Sequence, residues 1–207
     1  MVIGRLYERL VVPRLVHWGM KSERLRPLRA STVAAAQGRV LEIGIGSGLN
    51  FPFYGRDVEE VVGIDPSPSL LARAGKAGGW MPFKIRLVCQ SAEHLPYPDA
   101  SFDCVVATWS LCSILDVEAT LAEAHRVLRP EGRFVFIEHG AAPSPGLCRW
   151  QRRLTPVWRR LAGGCHLHRR PDRLLTAAGF ELETLETGHL VDGPRLVTFH
   201  YQGIARR

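Results

Sequence analysis

The sequence predicts an α/β protein with a mostly parallel sheet that is covered by helices on both faces. Short apolar runs of strand type alternate with segments of helical periodicity, which is the pattern of strand–helix–strand units. The first run, 39–45, leads into a glycine-rich turn, and the second, 61–65, ends in an acid. Two runs near the C terminus, 180–191 and 195–205, predict a closing pair of strands joined at 192–194.

Length and composition place the chain among globular proteins with one domain. It has 207 residues and 46% hydrophobic residues, enough for one substantial core and little room for a second. We find no run of about 18 apolar residues and no signal-peptide pattern at the start, so we expect a cytoplasmic protein. The five cysteines are scattered without a Cys-x-x-Cys pair, which predicts free thiols and no metal site.

The first 37 residues predict a helical cap in front of the first strand. Apolar residues recur at helical spacing with arginines between them, at Ile3, Leu6, Leu10, Val11, Leu15 and Trp18. We expect an amphipathic helix that is interrupted at Pro13, and a second helix from Pro27 to Ala36. The first helix could pack on the sheet edge, close over a substrate pocket, or rest on lipid; packing combined with a lid is the interpretation that we favour.

The glycine-rich turn is the strongest functional signal. Gly44, Gly46 and Gly48 alternate directly after a buried strand, where glycine lets the backbone adopt positive φ and approach a ligand closely. Asp65 follows Gly48 by seventeen residues at the end of the next strand, close to the spacing at which an acid reaches the ribose of a nucleotide or nucleoside. The spacing is Gly-x-Gly-x-Gly, which differs from the dinucleotide pattern Gly-x-Gly-x-x-Gly.

The remaining elements follow from local patterns. Pro66 to Ser69 predict a helix start, with the helix running to about Ala77. Strands are expected over 83–90, 101–108 and 132–140. Helices are expected over 116–128, which stops at Arg129–Gly132, and over 171–178. Residues 141–170 form an arginine-rich insertion between the strand over 132–140 and the helix over 171–178.

Glu42 and the glycine turn resemble the first motif of the class I S-adenosylmethionine-dependent methyltransferases, and the resemblance covers about 36–206. It implies a Rossmann-like, doubly wound, mostly parallel seven-stranded sheet with an antiparallel last strand, spanning 38–207. In this family the acid at Glu42 faces the methionine ammonium, the glycine turn holds the methionine, and Asp65 binds the ribose. The resemblance implies S-adenosylmethionine as cofactor, with these candidate contacts: Glu42, Gly44, Gly46, Gly48, Asp65, Pro66, Ser91, Ala92, Glu93 and Thr108.

Three further stretches are similar to the thiol S-methyltransferases of the methyltransferase-like group. They are Thr108-x-x-Leu-Cys-Ser113, Arg126–Pro130 leading to Glu138-His139, and Gly164-Cys165-x-x-x-Arg169. This resemblance implies a small thiol as methyl acceptor. Phospholipid N-methylation and quinone-type C-methylation are the enzymatic alternatives, and a cofactor-binding sensor or assembly protein is the non-enzymatic one.

The acceptor side has its own candidate residues. The substrate pocket is predicted to include Trp109, Leu111, Cys112 and Cys165. His139 stands at the end of a parallel strand, where α/β proteins place their sites. It is the candidate base or charge partner of the reaction, with a purely structural strand-end contact as the alternative.

The net charge of +7 has two functional interpretations besides arginine-rich codon usage. The arginines between 149 and 173 could attract an acidic substrate or anionic lipid headgroups, so peripheral contact with the inner face of a membrane is an alternative to a purely cytoplasmic protein. No nucleic-acid recognition module is evident, so we do not expect nucleic acid as a partner. The sequence leaves the oligomeric state open.

Overall fold

The computed structural model describes residues 11–207 of the chain. Seven strands form one sheet in the order β3-β2-β1-β4-β5-β7-β6. Their bounds are β1 Gly38–Ile43, β2 Val58–Asp65, β3 Lys84–Cys89, β4 Phe102–Thr108, β5 Leu128–His139, β6 Glu181–His189 and β7 Phe199–Arg206. β1 to β5 pair in parallel, whereas β7 lies between β5 and β6 and is antiparallel to both. The predicted fold, with its antiparallel last strand, is therefore confirmed.

Helices connect these strands and precede the first one. They are α1 Val12–Met20, α2 Arg26–Val33, α3 Pro68–Gly78, α4 Val117–Val127, α5 Pro145–Leu161 and α6 Pro171–Ala177, with short 3₁₀ turns at Glu23–Leu25 and Phe51–Phe53. Asp116 caps α4, where its side chain accepts the Ala119 N–H at 2.9 Å. In the part of the chain that the structure describes, none of these helices has the length and apolarity that crossing a bilayer requires.

Both faces of the central strands are buried, as the alternation of strands and helices predicts, whereas the edge strand β6 is largely exposed. On one face Leu121 and Ala124 of α4 and Leu175 of α6 pack with Leu41 and other strand residues. On the other face Val33 of α2 and Leu71 and Ala74 of α3 pack with Val40 and its neighbours. The central strands consist of nearly continuous apolar residues, because neither of their faces meets water.

The parallel strands all end at one edge of the sheet, and this edge positions the site. The register pairs Ile43 of β1 with Ile64 of β2 and with Ala107 of β4, and it pairs Thr108 with Ile137 of β5. Asp65, Thr108 and His139 are the last residues of their strands. Ligand sites of open α/β sheets form in the crevice outside these carboxyl ends.

Some element boundaries differ from the sequence prediction for local reasons. Pro13 lies in the first turn of α1, so a helix begins at the point where the sequence predicts an interruption or kink. Residues 1–10, which include Ile3, Leu6 and Leu10 of the predicted stripe, lie outside the described residues. The segment 129–132, at which the preceding helix is predicted to stop, is part of β5 and coincides with a shift of register against β4. Most of the predicted insertion forms the long helix α5.

Candidate functional site

The turn after β1 has the backbone geometry that its glycines predict. Gly44 has φ of +70° and Gly46 has φ of +55°, a region that side chains rarely adopt. A Cβ at Gly44 would also stand 2.5 Å from the Cβ of Ser110, so no larger residue fits there without a shift of the loop. Gly48 differs from the other two, because it packs against Phe51 and Ala74 and does not line the cavity described below.

Asp65 connects the end of β2 to the glycine turn. Its carboxylate accepts the Gly46 N–H at 3.0 Å through Oδ2 and the Ser67 N–H at 2.8 Å through Oδ1. Burial raises the pKa of Asp65, and these two backbone donors partly oppose that shift. Each oxygen keeps a further lone pair, so the carboxylate can hold the turn and still accept from a ligand hydroxyl.

Glu42 is buried at the centre of a polar network. Its Oε1 accepts from Asn50 Nδ2 and its Oε2 from the Tyr54 hydroxyl, both at 2.7 Å. Asn50 Nδ2 also lies 3.0 Å from Thr108 Oγ1. Burial raises the pKa of Glu42 to about 7, against the opposing effects of Tyr54, Arg29 and Asn50. A buried carboxylate in this state is poised to ionise when a cation arrives beside it.

Arg29 of α2 joins the N-terminal helices to this network, although it is not among the site residues predicted from the sequence. Its Nη1 donates to Asn50 Oδ1 at 2.5 Å and its Nη2 to the Met20 carbonyl at 3.2 Å. The guanidinium carbon lies 4.9 Å from the centre of the Trp109 ring, a cation–π distance. Burial lowers the pKa of Arg29 to about 10, so the side chain is still positively charged at neutral pH.

A cavity of about 400 Å³ opens beside these residues, a size typical of small-molecule sites. Nine of the ten predicted cofactor residues line it, all except Gly48. The cavity is bounded by the glycine turn, the ends of β1, β2 and β4, residues 90–93, and the segment 108–115. Residues 91–93, predicted on the adenine side, thus border the same space as Glu42 and Asp65.

Helix α1 covers part of this cavity. Pro13, Val16, His17 and Met20 line it. His17 Nδ1 lies 2.6 Å from the hydroxyl of Ser47 in the glycine turn. Burial lowers the pKa of His17, as do the charges of Arg73 and Lys21, so the imidazole is neutral at pH 7. His17 is not among the site residues predicted from the sequence, although its place on an amphipathic helix was a usable signal.

The segment after β4 forms the opposite wall. Trp109, Ser110, Ser113, Ile114 and Leu115 line the cavity, so Trp109 lies where the sequence predicts a pocket residue. Trp109 has φ of +50°, and its indole N–H is buried without a partner among the described residues. Such an orphaned donor adjoining a cavity can serve a ligand.

Glu138 fixes this wall from behind. Its Oε1 accepts the N–H groups of Ser110 at 2.7 Å and Leu111 at 2.8 Å, and its Oε2 accepts that of Cys112 at 3.3 Å. Burial, reinforced by the charge of Cys112, raises the pKa of Glu138 to about 8, while the backbone donors oppose the shift.

The other predicted acceptor-side residues lie behind the wall and do not line the cavity. Leu111 belongs to the core. Cys112 and Cys165 are buried together with His139, whose Nε2 lies 2.7 Å from Cys165 Sγ. The role in the reaction that the sequence predicts for His139 stays a prediction.

Sequence spacing alone indicated no set of metal ligands, yet the fold brings the side chains of Cys112, His139 and Cys165 together. Their sulfur and nitrogen atoms all lie within 4.8 Å of one another. The hydrogen bond with Cys165 lowers the pKa of Cys112, with a further contribution from His139, and the same bond raises the pKa of Cys165. Burial by itself would lower the pKa of His139, but the neighbouring Cys112 and Glu138 raise it to about 9.

Comparison with known proteins assigns the family. The family described as "Methyltransferase domain" matches residues 41–136. The human thiol S-methyltransferase TMT1A is 37% identical over 170 residues, which cover 80% of this chain and 69% of that protein. The chain belongs to the class I S-adenosylmethionine-dependent methyltransferases. The family resemblance stated from its motifs is thereby confirmed, and S-adenosylmethionine is the cofactor.

Two more similarities bear on this methyltransferase. The phosphatidylethanolamine N-methyltransferase of Cereibacter sphaeroides is 37% identical over 142 residues, which cover 67% of the chain and 68% of that protein. The crystal structure of the Burkholderia thailandensis 1,6-didemethyltoxoflavin-N1-methyltransferase, with bound 1,6-didemethyltoxoflavin and S-adenosylhomocysteine, has a TM-score of 0.67 at 19% identity. That likeness covers 93% of this chain and 83% of the other, and it supports the fold.

Proposed function

We propose that this methyltransferase transfers the methyl group of S-adenosylmethionine to the thiol of a small molecule, giving the methyl thioether and S-adenosylhomocysteine. The observation that carries the proposal is the character of the acceptor-facing half of the cavity. Apolar side chains of α1 and of 109–115, among them Val16, Met20 and Ile114, line it together with the neutral imidazole of His17. The similarity to TMT1A supports the same acceptor.

We define Glu42, the glycine turn, Asp65 and residues 91–93 as the cofactor cradle. Its proposed contacts follow from the network around Glu42 and Asp65. Glu42, ionised by the approach of a cation, pairs with the methionine ammonium, and the glycine turn, whose backbone can approach a ligand closely, holds the methionine part. The free lone pairs of Asp65 accept the ribose hydroxyls. Residues 91–93 enclose the adenine. Glu42 is already held in position for this pairing, because Asn50 and Tyr54 donate to its carboxylate and Arg29 donates to Asn50.

The reaction requires little of the protein beyond alignment of the acceptor with the methyl group of the cofactor. The sulfonium supplies a methyl group that is attacked in line by the acceptor, and the positive charge disappears as the methyl moves. Holding two reactants in near-attack geometry is worth up to about 7–11 kcal/mol in favourable systems. A dry, apolar wall beside the glycine turn suits this requirement, since it keeps water from competing with the acceptor.

A thiol needs only weak base catalysis. Its pKa of about 8.5 lies close to neutral pH, and its thiolate is the nucleophile. His17 is the imidazole that borders the cavity, and Ser47 engages its Nδ1, which leaves Nε2 as the nitrogen that takes the acceptor proton. Among the described residues that line the cavity, the carboxylates are Glu42, Asp65 and Glu93, and the cradle employs all three.

A screen with labelled S-adenosylmethionine tests the acceptor. Purified protein is incubated with small alkyl thiols, with phosphatidylethanolamine vesicles and with demethylated quinones, and the label is followed into each product. We expect kcat/KM for the thiols to exceed that for the other classes by at least about tenfold, a difference of about 1.4 kcal/mol in transition-state binding. Label in lipid or quinone with none in thiols would contradict the thiol assignment.

Phospholipid N-methylation is the second candidate, because one surface of the chain favours it. Helix α5 exposes an apolar stripe at Trp150, Leu154, Val157 and Leu161, at helical spacing and flanked by arginines at 149, 152, 153, 159 and 160. We define these four apolar residues and five arginines as the α5 surface. Such a helix is suited to lie in a membrane interface. The similarity to the Cereibacter enzyme adds weight to this alternative.

A further inference from the structure

The cluster of Cys112, His139 and Cys165 is a set of donor atoms that the methyl transfer proposed above, with His17 as the base, leaves unused. Cys112 comes from the segment after β4, His139 from the end of β5, and Cys165 from the loop between α5 and α6. Their exposed fractions are 5%, 9% and 6%. Methyl transfer between two bound molecules needs no nucleophile from the protein, so two buried sulfurs around one imidazole require another explanation.

The donor set matches a thiophilic cation. Two sulfurs and one imidazole nitrogen are ligands of tetrahedral Zn²⁺, and three protein ligands leave a fourth position for water or a small ligand. With Zn–S of about 2.3 Å and Zn–N of about 2.0 Å, tetrahedral ligand atoms stand roughly 3.5–3.8 Å apart. The three atoms observed lie within 4.8 Å of one another. The Cys165–His139 pair, at 2.7 Å, would open by about 1 Å to admit the ion.

Charge balance favours an ion in this place. Two thiolates and a neutral imidazole cancel the charge of a divalent cation, so a loaded site adds no net charge to the interior, where an unpaired charge is costly. A disulfide between the sulfurs would leave the imidazole without its partner in the cluster. The ion instead uses all three groups.

Neighbouring groups hold the two cysteines from outside, as is usual for the ligands of metal sites. Trp158 Nε1 donates to Cys165 Sγ at 3.3 Å. Glu138 anchors the backbone of 110–112, which carries Cys112. Arg169 donates to the carbonyls of Leu111 and Ile114 on the same segment. The three ligand-bearing segments are thus fixed relative to one another by residues that are not ligands.

We propose that Cys112, His139 and Cys165 bind one thiophilic divalent cation, with Zn²⁺ as the type ion. The ion joins β5 and the α5–α6 loop to the segment whose neighbouring residues Trp109 and Ser113 form the acceptor wall of the cavity. It therefore fixes the shape of that wall. The proposal is independent of which acceptor is methylated.

Cobalt and zinc titrations of the full chain test the site. The protein is purified with chelator and reductant, and the chelator is removed. With Co²⁺ we expect one ion per chain, thiolate-to-metal charge-transfer absorption, and the intense visible bands of tetrahedral Co²⁺, all of which Zn²⁺ abolishes. Substitution of residues that only support metal ligands weakens metal binding by about 10- to 100-fold. Because Cys112→Ser and His139→Gln remove ligands themselves, each should weaken Zn²⁺ binding by more than this.

The matched control is the double variant Cys89→Ser/Cys148→Ser, which changes two cysteines that are not in the cluster and should bind as the wild type does. A second measurement needs only wild-type protein: bound Zn²⁺ should protect Cys112 and Cys165, but not the exposed Cys89, from an alkylating reagent, as read by mass spectrometry. Weak octahedral Co²⁺ spectra, or alkylation of Cys112 that proceeds in the metal-free protein and is not slowed by Zn²⁺, would overturn the proposal even if the ligand variants fail to fold.

Discussion

Glu42 shows how burial gives a single side chain its function. Desolvation raises the pKa of its carboxyl to about 7, far above the ordinary value near 4. Tyr54 and Asn50 stabilise its charged form without supplying a full positive charge. A ligand ammonium would complete the pairing and lower this pKa, so we expect binding of S-adenosylmethionine and ionisation of Glu42 to be linked.

The linkage predicts how cofactor affinity depends on pH. Below about 7 Glu42 is protonated in the free protein and must lose its proton to bind, so affinity rises as the pH rises through 7. Above about 8 the ligand's amino group loses its charge and affinity falls. Calorimetry between pH 6 and 9 should show this maximum, and Glu42→Gln should lose the rising limb. A rising limb that is unchanged in Glu42→Gln would refute the link.

His17 should act on the acceptor's proton. We expect His17→Gln to lower kcat for an alkyl thiol by about 10²-fold, the lower end for general base catalysis, and to change it little for a more acidic aromatic thiol that is already ionised. His125→Gln, on the outer helix α4 against Phe180, is the control. Steady-state rates with both thiols check this, and an equal loss for both would argue against a role as base.

At the scale of elements, α2 is coupled to the site through Arg29. Replacing it by methionine leaves Asn50 Oδ1 and the Met20 carbonyl without their buried donor. We expect Arg29→Met to lower the free energy of unfolding by about 2–4 kcal/mol. Arg26→Met on the exposed side of α2, which among the described residues forms an ion pair only with Glu23, at 3.5 Å, should change it by less than about 0.5 kcal/mol. Denaturant titrations decide, and equal effects of both substitutions would contradict the coupling.

The elements also show what sequence could and could not predict. β1, the glycine turn and β2 with Asp65 were predictable, because their signals are local and follow one another at fixed spacing. The role of Arg29 was not predictable, since an arginine on a short helix is usually solvated and its contact with Asn50 depends on how the helix packs. The grouping of Cys112, His139 and Cys165 depends on how the α5–α6 loop packs against the segment after β4. No linear spacing encodes that contact.

At the scale of the whole molecule, the α5 surface lies on the same chain segment as Gly163, which borders the cavity. A membrane bound there would bring lipid close to the site. Arginines near an anionic surface each add about 1 kcal/mol of attraction, and the apolar stripe adds insertion. Whether the acceptor is a lipid or a small apolar thiol that partitions into lipid, this surface predicts peripheral binding.

Vesicle sedimentation tests that surface. We expect binding to vesicles with phosphatidylglycerol to exceed binding to neutral phosphatidylcholine vesicles by at least about tenfold and to weaken with salt. Trp150→Ser/Leu161→Ser should reduce it. Trp80→Ser, which removes a tryptophan that is 92% exposed elsewhere on the molecule, should not. Equal binding to both kinds of vesicle would exclude an anionic membrane as the partner of the α5 surface.

The most direct test of the cradle is a calorimetric titration of S-adenosylmethionine into the wild-type protein and into Asp65→Asn. The wild type should bind one equivalent. Asp65→Asn should bind at least about tenfold more weakly, because it loses an acceptor for the ribose and loosens the turn at Gly46. Asp57→Asn, an exposed acid before β2, should bind as the wild type does. Unchanged affinity in Asp65→Asn, in a protein that is folded by circular dichroism, would contradict the account.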